Sequence, residues 1–278
     1  MGTKRGKRLF SIVAVSAAFA CGSASTSEPV RTAGAKPLLV VLDAGHGGDD
    51  LGAHSRQGYA EKDLALVLAK LVGKSLVSLA KRRGVNVVVR YTRDADVFVS
   101  LADRVELANG MDADLFVSLH GNHSPSSRVR GFEVYYASDR GTDAAAEALA
   151  RKENGSTPVL ASASPVDAML ADLRKSKHLQ DSAAFAEAIY RVVAVRMRGQ
   201  KKRGVRQGPF KVLSGTEMPS VLIEVGYLSH EEESAQLDDA AYRSRLADAI
   251  ARGILEFALP RYRDDADPNS PTGRPPAR

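Results

Sequence analysis

The chain has 278 residues, enough for one domain of ordinary size plus short appendages, and its 44% apolar content supports a real core and a globular α/β protein. The formal net charge of +6 is uneven: Lys4, Arg5, Lys7 and Arg8 lie in the first 20 residues with no acid, and 35 basic against 33 acidic residues remain, so the charge gives no ground for nucleic-acid binding. The single cysteine, Cys21, excludes an internal disulfide.

In chain order, Lys4 to Arg8 form a positive region and Leu9 to Ala20 an apolar one, the pattern of an export signal. The apolar part is short for a membrane-spanning helix. Cys21 ends it, in Ala18-Phe19-Ala20-Cys21, which fits a lipoprotein signal over residues 1–21. An ordinary Ala-x-Ala-like cleavage site is the alternative. Residues 22–36 are small and polar and read as a flexible tether. A catalytic domain is expected over residues 37–260 and a disordered tail over residues 261–278.

Leu38 to Leu42 is an apolar run, as for a strand covered on both faces. Asp63 to Arg83 has helical periodicity, ended by Gly84. Val85 to Tyr91 reads as a strand, Leu101 to Asn109 as a helix, and Leu115 to Leu119 and Phe132 to Tyr136 as strands. Helical patterns follow over Ala144 to Lys152, Asp167 to Leu173 and His178 to Met197, with a loop expected over Asn154 to Pro165. Val221 to Val225 is a strand pattern and Ala240 to Leu259 a helical one. The alternation predicts one central sheet, mostly parallel or mixed, with helices on both faces.

Two histidines end strand patterns: His46, in Asp43-Ala44-Gly45-His46-Gly47-Gly48, and His120, in Ser118-Leu119-His120-Gly121-Asn122. Strand ends are where an open α/β sheet collects functional groups. Glu61 heads the first helix and can reach back toward the glycine-rich turn. Two histidines and a carboxylate form a zinc-ligand set with a further position open. Glu224 follows three apolar residues on a strand, so desolvation should raise its pKa and suit it to accept and return a proton.

Together these segments resemble the zinc-dependent N-acetylmuramoyl-L-alanine amidases of bacterial cell separation and sporulation, over about residues 37–258. The resemblance is carried by Asp43 to Gly48 with Gly52-Ala53, by Gly58 to Asp63, and by Tyr91-Thr92-Arg93-Asp94 with Leu101, Arg104 and Ala108-Asn109. It continues through Asp114 to Asn122 and Pro219 to Ser229. It implies one Zn2+ held by His46, Glu61 and His120, with Glu224 as general acid/base. It also implies cleavage of the amide between the muramic lactyl group and L-alanine in peptidoglycan. Export implies a periplasmic protein, anchored to the outer membrane if Cys21 carries a lipid.

Asn122 either bonds substrate or orders its turn. His123 reads as a solvated loop residue or one facing substrate. His54 reads as a surface residue, and His178 and His230 as structural or exposed. Arg93 suggests a pair with a carboxylate in the sheet. The basic tract Arg198 to Arg206 reads as a solvated helix end and loop. In cell-division members of the family an inserted helix covers the site until a partner protein displaces it. The corresponding segment, Gly141 to His178, offers Glu147, Glu153, Asp167 and Asp172 as competitors for the open zinc position; plain packing on the sheet is the alternative. Other readings of the whole chain are a zinc peptidase acting on stem peptides and a non-catalytic wall-binding or regulatory lipoprotein, which should lack a ligand or Glu224.

Overall fold

The computed structural model describes residues 36–155 and 165–266. The first strand, β1 (Leu38–Ala44), leads through a glycine-rich loop to helix α1 (Glu61–Arg82). Leu64, Leu68, Val72, Leu76 and Leu79 recur at helical spacing on α1 and are buried. Acids in its first turn and bases in its last suit the helix dipole. There follow β2 (Val87–Tyr91), α2 (Leu101–Gly110), β3 (Leu115–Asn122) and β4 (Phe132–Ala137). Ser100 caps α2 by accepting from the Asp103 amide. The remainder comprises α3 (Ala144–Asn154), α4 (Pro165–Arg196), β5 (Lys202–Gly208), α5 (Lys211–Ser214), β6 (Ser220–Tyr227), α6 (Glu231–Asp238) and α7 (Ala240–Ala266).

The six strands form one sheet in the order β2-β1-β3-β6-β4-β5. Every pairing is parallel except β4 with β6. Side chains alternate across the sheet with period two. Val40, Leu42, Val117, Leu119, Ile223 and Val225 pack under α1, α4 and α7 with Leu68, Phe185 and Ile250. Val41, Phe116, Leu222 and Tyr135 face the other way, toward α2, α3 and α5, with Ala108, Leu149 and Leu213. By this alternation Asp43, Ser118, His120, Glu133 and Glu224 share the second face. That face thus carries the buried polar groups, and the first carries the larger apolar core.

Four local expectations change. The third strand runs on to Asn122, so His120 and Asn122 lie within it. The two helical patterns after residue 165 are one helix, α4. The final helix continues past Leu259, through Pro260, to Ala266, so residues 261–266 of the expected tail are helical. Part of the basic tract, read as solvated helix end and loop, is the edge strand β5. Its charges hid it: Arg203 and Arg206 turn inward onto the buried carboxylate of Glu133. The leader, most of the tether, residues 156–164 and residues 267–278 lie outside the described residues.

Candidate active site

Parallel pairing brings the C-terminal ends of β1 and β3 together, with Ala44 beside Leu119, and sets His120 beside Glu224 of β6. The chain leaves β1 through three consecutive residues of positive φ: His46 at 60°, Gly47 at 127° and Gly48 at 59°. A histidine in the left-handed region is uncommon and needs support from its surroundings. Two buried arginines supply it. Arg93 donates to the carbonyls of Ala44 (2.9 Å) and Gly45 (2.8 Å), and Arg104 to those of Ala44 (2.6 Å) and His46 (2.8 Å). Arg104 also pairs with Asp43 at 2.6 Å. Arg93 was expected on a carboxylate; its hydrogen bonds go to backbone carbonyls instead, those of Lys62 and Ala95 included. Side chains are excluded at two glycines here: a Cβ on Gly45 would strike the His120 ring, and one on Gly52 would lie 2.7 Å from both Glu61 Oε2 and His46 Cδ2.

Glu61 is fully buried at the start of α1. Its Oε2 accepts from the Ala53 amide (2.8 Å) and its Oε1 from the Gly121 amide (3.0 Å). Oε1 also lies 3.0 Å from His46 Nε2 and 3.1 Å from His120 Nδ1. On its other side the His46 ring holds Asp50 through Nδ1 at 2.9 Å. A carboxylate on the outer nitrogen is the usual way to orient a metal-binding imidazole.

A fourth group completes the cluster. Glu153, in the last turn of α3, places Oε2 3.4 Å from His46 Nε2 and 3.2 Å from His120 Nδ1. One ligand atom from each of His46, Glu61, His120 and Glu153 lies within 4.8 Å of the others. His46 Nε2 and Glu153 Oε2 are buried without a hydrogen bond, aimed into the same space. Two imidazole nitrogens and two carboxylate oxygens are a donor set that fits Zn2+. The charges agree: burial opposes protonation of His46, but Asp50, Glu153 and Glu61 outweigh it and raise its pKa to about 12. For His120 burial is likewise outweighed, by Glu153 and Glu61, and the pKa rises to about 9. The pocket therefore calls for positive charge.

Glu224 is fully buried on β6, and neither oxygen has a hydrogen-bond partner. Burial pushes its carboxyl well above the usual range; His120 opposes this, and the charges of Glu153 and Glu61 add to it. Beside it in register on β4 lies Glu133, whose surroundings are the reverse. Glu133 accepts from Arg203 (2.6 Å), Arg206 (2.9 Å), Tyr135 Oη (3.0 Å), Tyr227 Oη (3.2 Å) and Asn122 Nδ2 (3.2 Å). Of two adjacent buried carboxylates, one is saturated with donors and the other has none.

Asn122, the candidate substrate contact, donates to Glu133 through Nδ2 and accepts from the His123 amide through Oδ1. It orders the turn. His123 and His54 are exposed. His230 caps α6 through Nδ1. Glu147 accepts from the Gly141 amide, away from the cluster, and the side chains of Asp167 and Asp172 lie outside the described residues. The hub at Glu133 and the Asp43–Arg104 pair had no sequence signal beyond polar residues in apolar strands or in the family pattern.

Residues 40–256 match the N-acetylmuramoyl-L-alanine amidase family. N-acetylmuramoyl-L-alanine amidase AmiA of Escherichia coli is 32% identical over 237 residues, 83% of this chain and 80% of the relative. AmiC of Neisseria meningitidis is 32% identical over 239 residues, 84% of this chain but 56% of the relative. Among solved structures, the amidase AmiC2 of Nostoc punctiforme is 32% identical with a TM-score of 0.61, covering 81% of this chain and 99% of that one. The CwlD amidase of Clostridioides difficile, solved in complex with the GerS lipoprotein, is 25% identical with a TM-score of 0.57, covering 80% and 98%. With the match running through both histidine turns, Glu61 and the Glu224 strand, the chain belongs to the N-acetylmuramoyl-L-alanine amidase family.

Proposed function

We propose that this amidase is zinc-dependent, with His46, Glu61 and His120 holding the ion and Glu224 moving the proton. The observation that carries the reading is the convergence of these ligand atoms beside a buried carboxylate that has no other partner. When bound, zinc acts as a Lewis acid on the amide carbonyl and acidifies water. The protein's own residues do the rest. Asp50 orients the His46 ring, and two backbone amides hold the Glu61 carboxylate in place. Glu224 takes a proton from the attacking water and returns it to the nitrogen of L-alanine as the bond from the lactyl carbonyl breaks. The products are a lactyl carboxylate and a free peptide amine. A carboxylate held by five donors, such as Glu133, could not exchange a proton this readily.

Digestion of purified peptidoglycan with mass analysis of the fragments tests the assignment. Glu224→Gln should keep its fold and zinc and lose turnover by about 100-fold or more. Near-normal turnover would move the proton role to another residue.

The same reading makes Glu153 a plug. A carboxylate oxygen is a competent zinc ligand. In the resting protein it occupies the position that water and substrate need, and a partner protein withdraws α3. The complex of the CwlD amidase with a lipoprotein supports a partner of this kind. No helix among the described residues is long and apolar enough to cross a membrane. The leader sequence supports export to the periplasm, with a lipid on Cys21 as a membrane attachment. Cys21→Ser should abolish globomycin-sensitive processing and membrane association; unchanged fractionation would remove the anchor.

A further inference from the structure

Three large apolar residues stand exposed around the His46 loop: Leu51 at 41%, Val97 at 50% and Phe98 at 61%. Their segments are packed onto the loop itself. A Cβ on Gly48 would lie 2.8 Å from the Phe98 nitrogen, and one on Gly47 would strike the Val97 carbonyl. Leu51 adjoins Gly52, which abuts His46 and Glu61. The rim is also braced. Lys62 bridges the Gly48 carbonyl (2.8 Å) and Asp96 (2.7 Å), and Asp96 accepts from the Gly48 amide (2.9 Å). Arg104 ties the Val99 carbonyl (2.9 Å) to that of His46 (2.8 Å). The Phe98 ring, 61% exposed on backbone fixed this closely, keeps most of its surface outside the core, and apolar surface beside a reaction site is placed to contact a ligand.

The charge around this patch selects among the parts of the substrate. Asp49 and Asp94 are exposed in the same segments, and Asp96 there is paired with Lys62. The amide to be cut joins a neutral N-acetylated sugar to a peptide stem that carries carboxylates. An acidic rim repels the stem. The sugar offers a face of C–H groups that an aromatic ring can cover. We propose that Phe98, with Val97 and Leu51, is a glycan platform. A pyranose ring of the glycan strand stacks on it, which sets the sugar on the His46 side of the scissile amide and the stem peptide on the opposite side. The proposal rests on the amidase reading.

The test uses the zinc-loaded full chain, with two binding probes: glycan strands freed of peptide, and free stem peptides. In the Glu224→Gln background, Phe98→Ala should weaken glycan binding roughly tenfold and leave stem-peptide binding unchanged, while Phe98→Tyr keeps both. With Glu224 intact, Phe98→Ala should raise KM for peptidoglycan by a similar factor at unchanged kcat. Equal glycan affinity in the Phe98→Ala and parent proteins overturns the platform. So does a loss confined to stem peptides, or an unchanged KM with a defect only in response to a partner protein. If the chain carrying Glu153→Gln, relieved of the plug, released no peptides from peptidoglycan, the amidase reading would fail; if it released them and adding Phe98→Ala left KM unchanged, only the platform would fail.

Discussion

Oε2 of Glu153 stands 3.2 Å from Nδ1 of His120, so the last turn of α3 is part of the site that the strand ends build. Lys152 reinforces it, pairing with Glu153 at 2.9 Å and approaching Glu61 at 3.7 Å. Glu153→Gln should weaken this hold without removing any of the three proposed ligands. We expect zinc content unchanged and basal turnover on isolated peptidoglycan raised about tenfold, as the fraction of open enzyme rises. Dye release from labelled peptidoglycan measures this. Equal basal rates would mean that α3 does not restrain the working enzyme.

The hold on α3 extends to both of its ends. At the N-terminus Asp143 caps the helix, accepting from the Ala145 and Ala146 amides, and pairs with Arg206. Arg206 binds Glu133 as well, so it links α3 to the network beside Glu224. At the C-terminus Asn154 donates to the Pro209 carbonyl (2.7 Å) and accepts from the Lys211 amide (2.8 Å). Arg206→Ala should cost ~2 kcal/mol of stability, since Glu133 keeps Arg203. It should also raise basal turnover in the otherwise intact chain, and with Glu153→Gln the two gains should combine up to the rate of the fully open enzyme, because both changes act on the same closed state. An unchanged basal rate in Arg206→Ala would separate Arg206 from the plug.

The convergence of His46, Glu61 and His120 was legible because metal chemistry limits residue types and because glycines beside the two histidines signal turns at strand ends. Glu224 was legible because a carboxylate inside an apolar strand has few structural uses. Glu153 was visible only as one of four acids in a helical segment. Its role depends on where α3 ends relative to β1 and β3, and helix periodicity does not encode that. The fifth strand was hidden for a related reason. Lys202 to Gly208 has one apolar side chain, Val205, and its arginines look solvated until Glu133 is placed across from them. Pairing between distant polar residues leaves no local pattern, whereas the apolar alternation that built the central strands does.

Asp43 is a buried carboxylate, on the same face of the sheet as Glu133, whose charge is matched by a buried arginine. Thr92 and Arg104 both donate to its Oδ1 and Ser118 to its Oδ2, each at 2.6 Å. Burial opposes ionisation, but the Arg104 charge and these hydrogen bonds overcome it and hold the pKa below its ordinary 3.8. A depressed folded-state pKa means that the stabilisation is complete above about 3.8 and is lost as pH falls toward the folded value. Asp43→Asn would leave the Arg104 cation buried and unpaired, so it should cost about 3 kcal/mol at neutral pH. Urea denaturation of both proteins in chelator, which removes any contribution from metal, should show that gap narrowing as pH drops below 3.8, where the wild-type carboxyl takes up its proton. A gap constant across that range would assign the loss to shape rather than charge. Arg104 also grips the Ala44 and His46 carbonyls, so the variant's His46 turn should relax and its zinc affinity fall even where the domain stays folded.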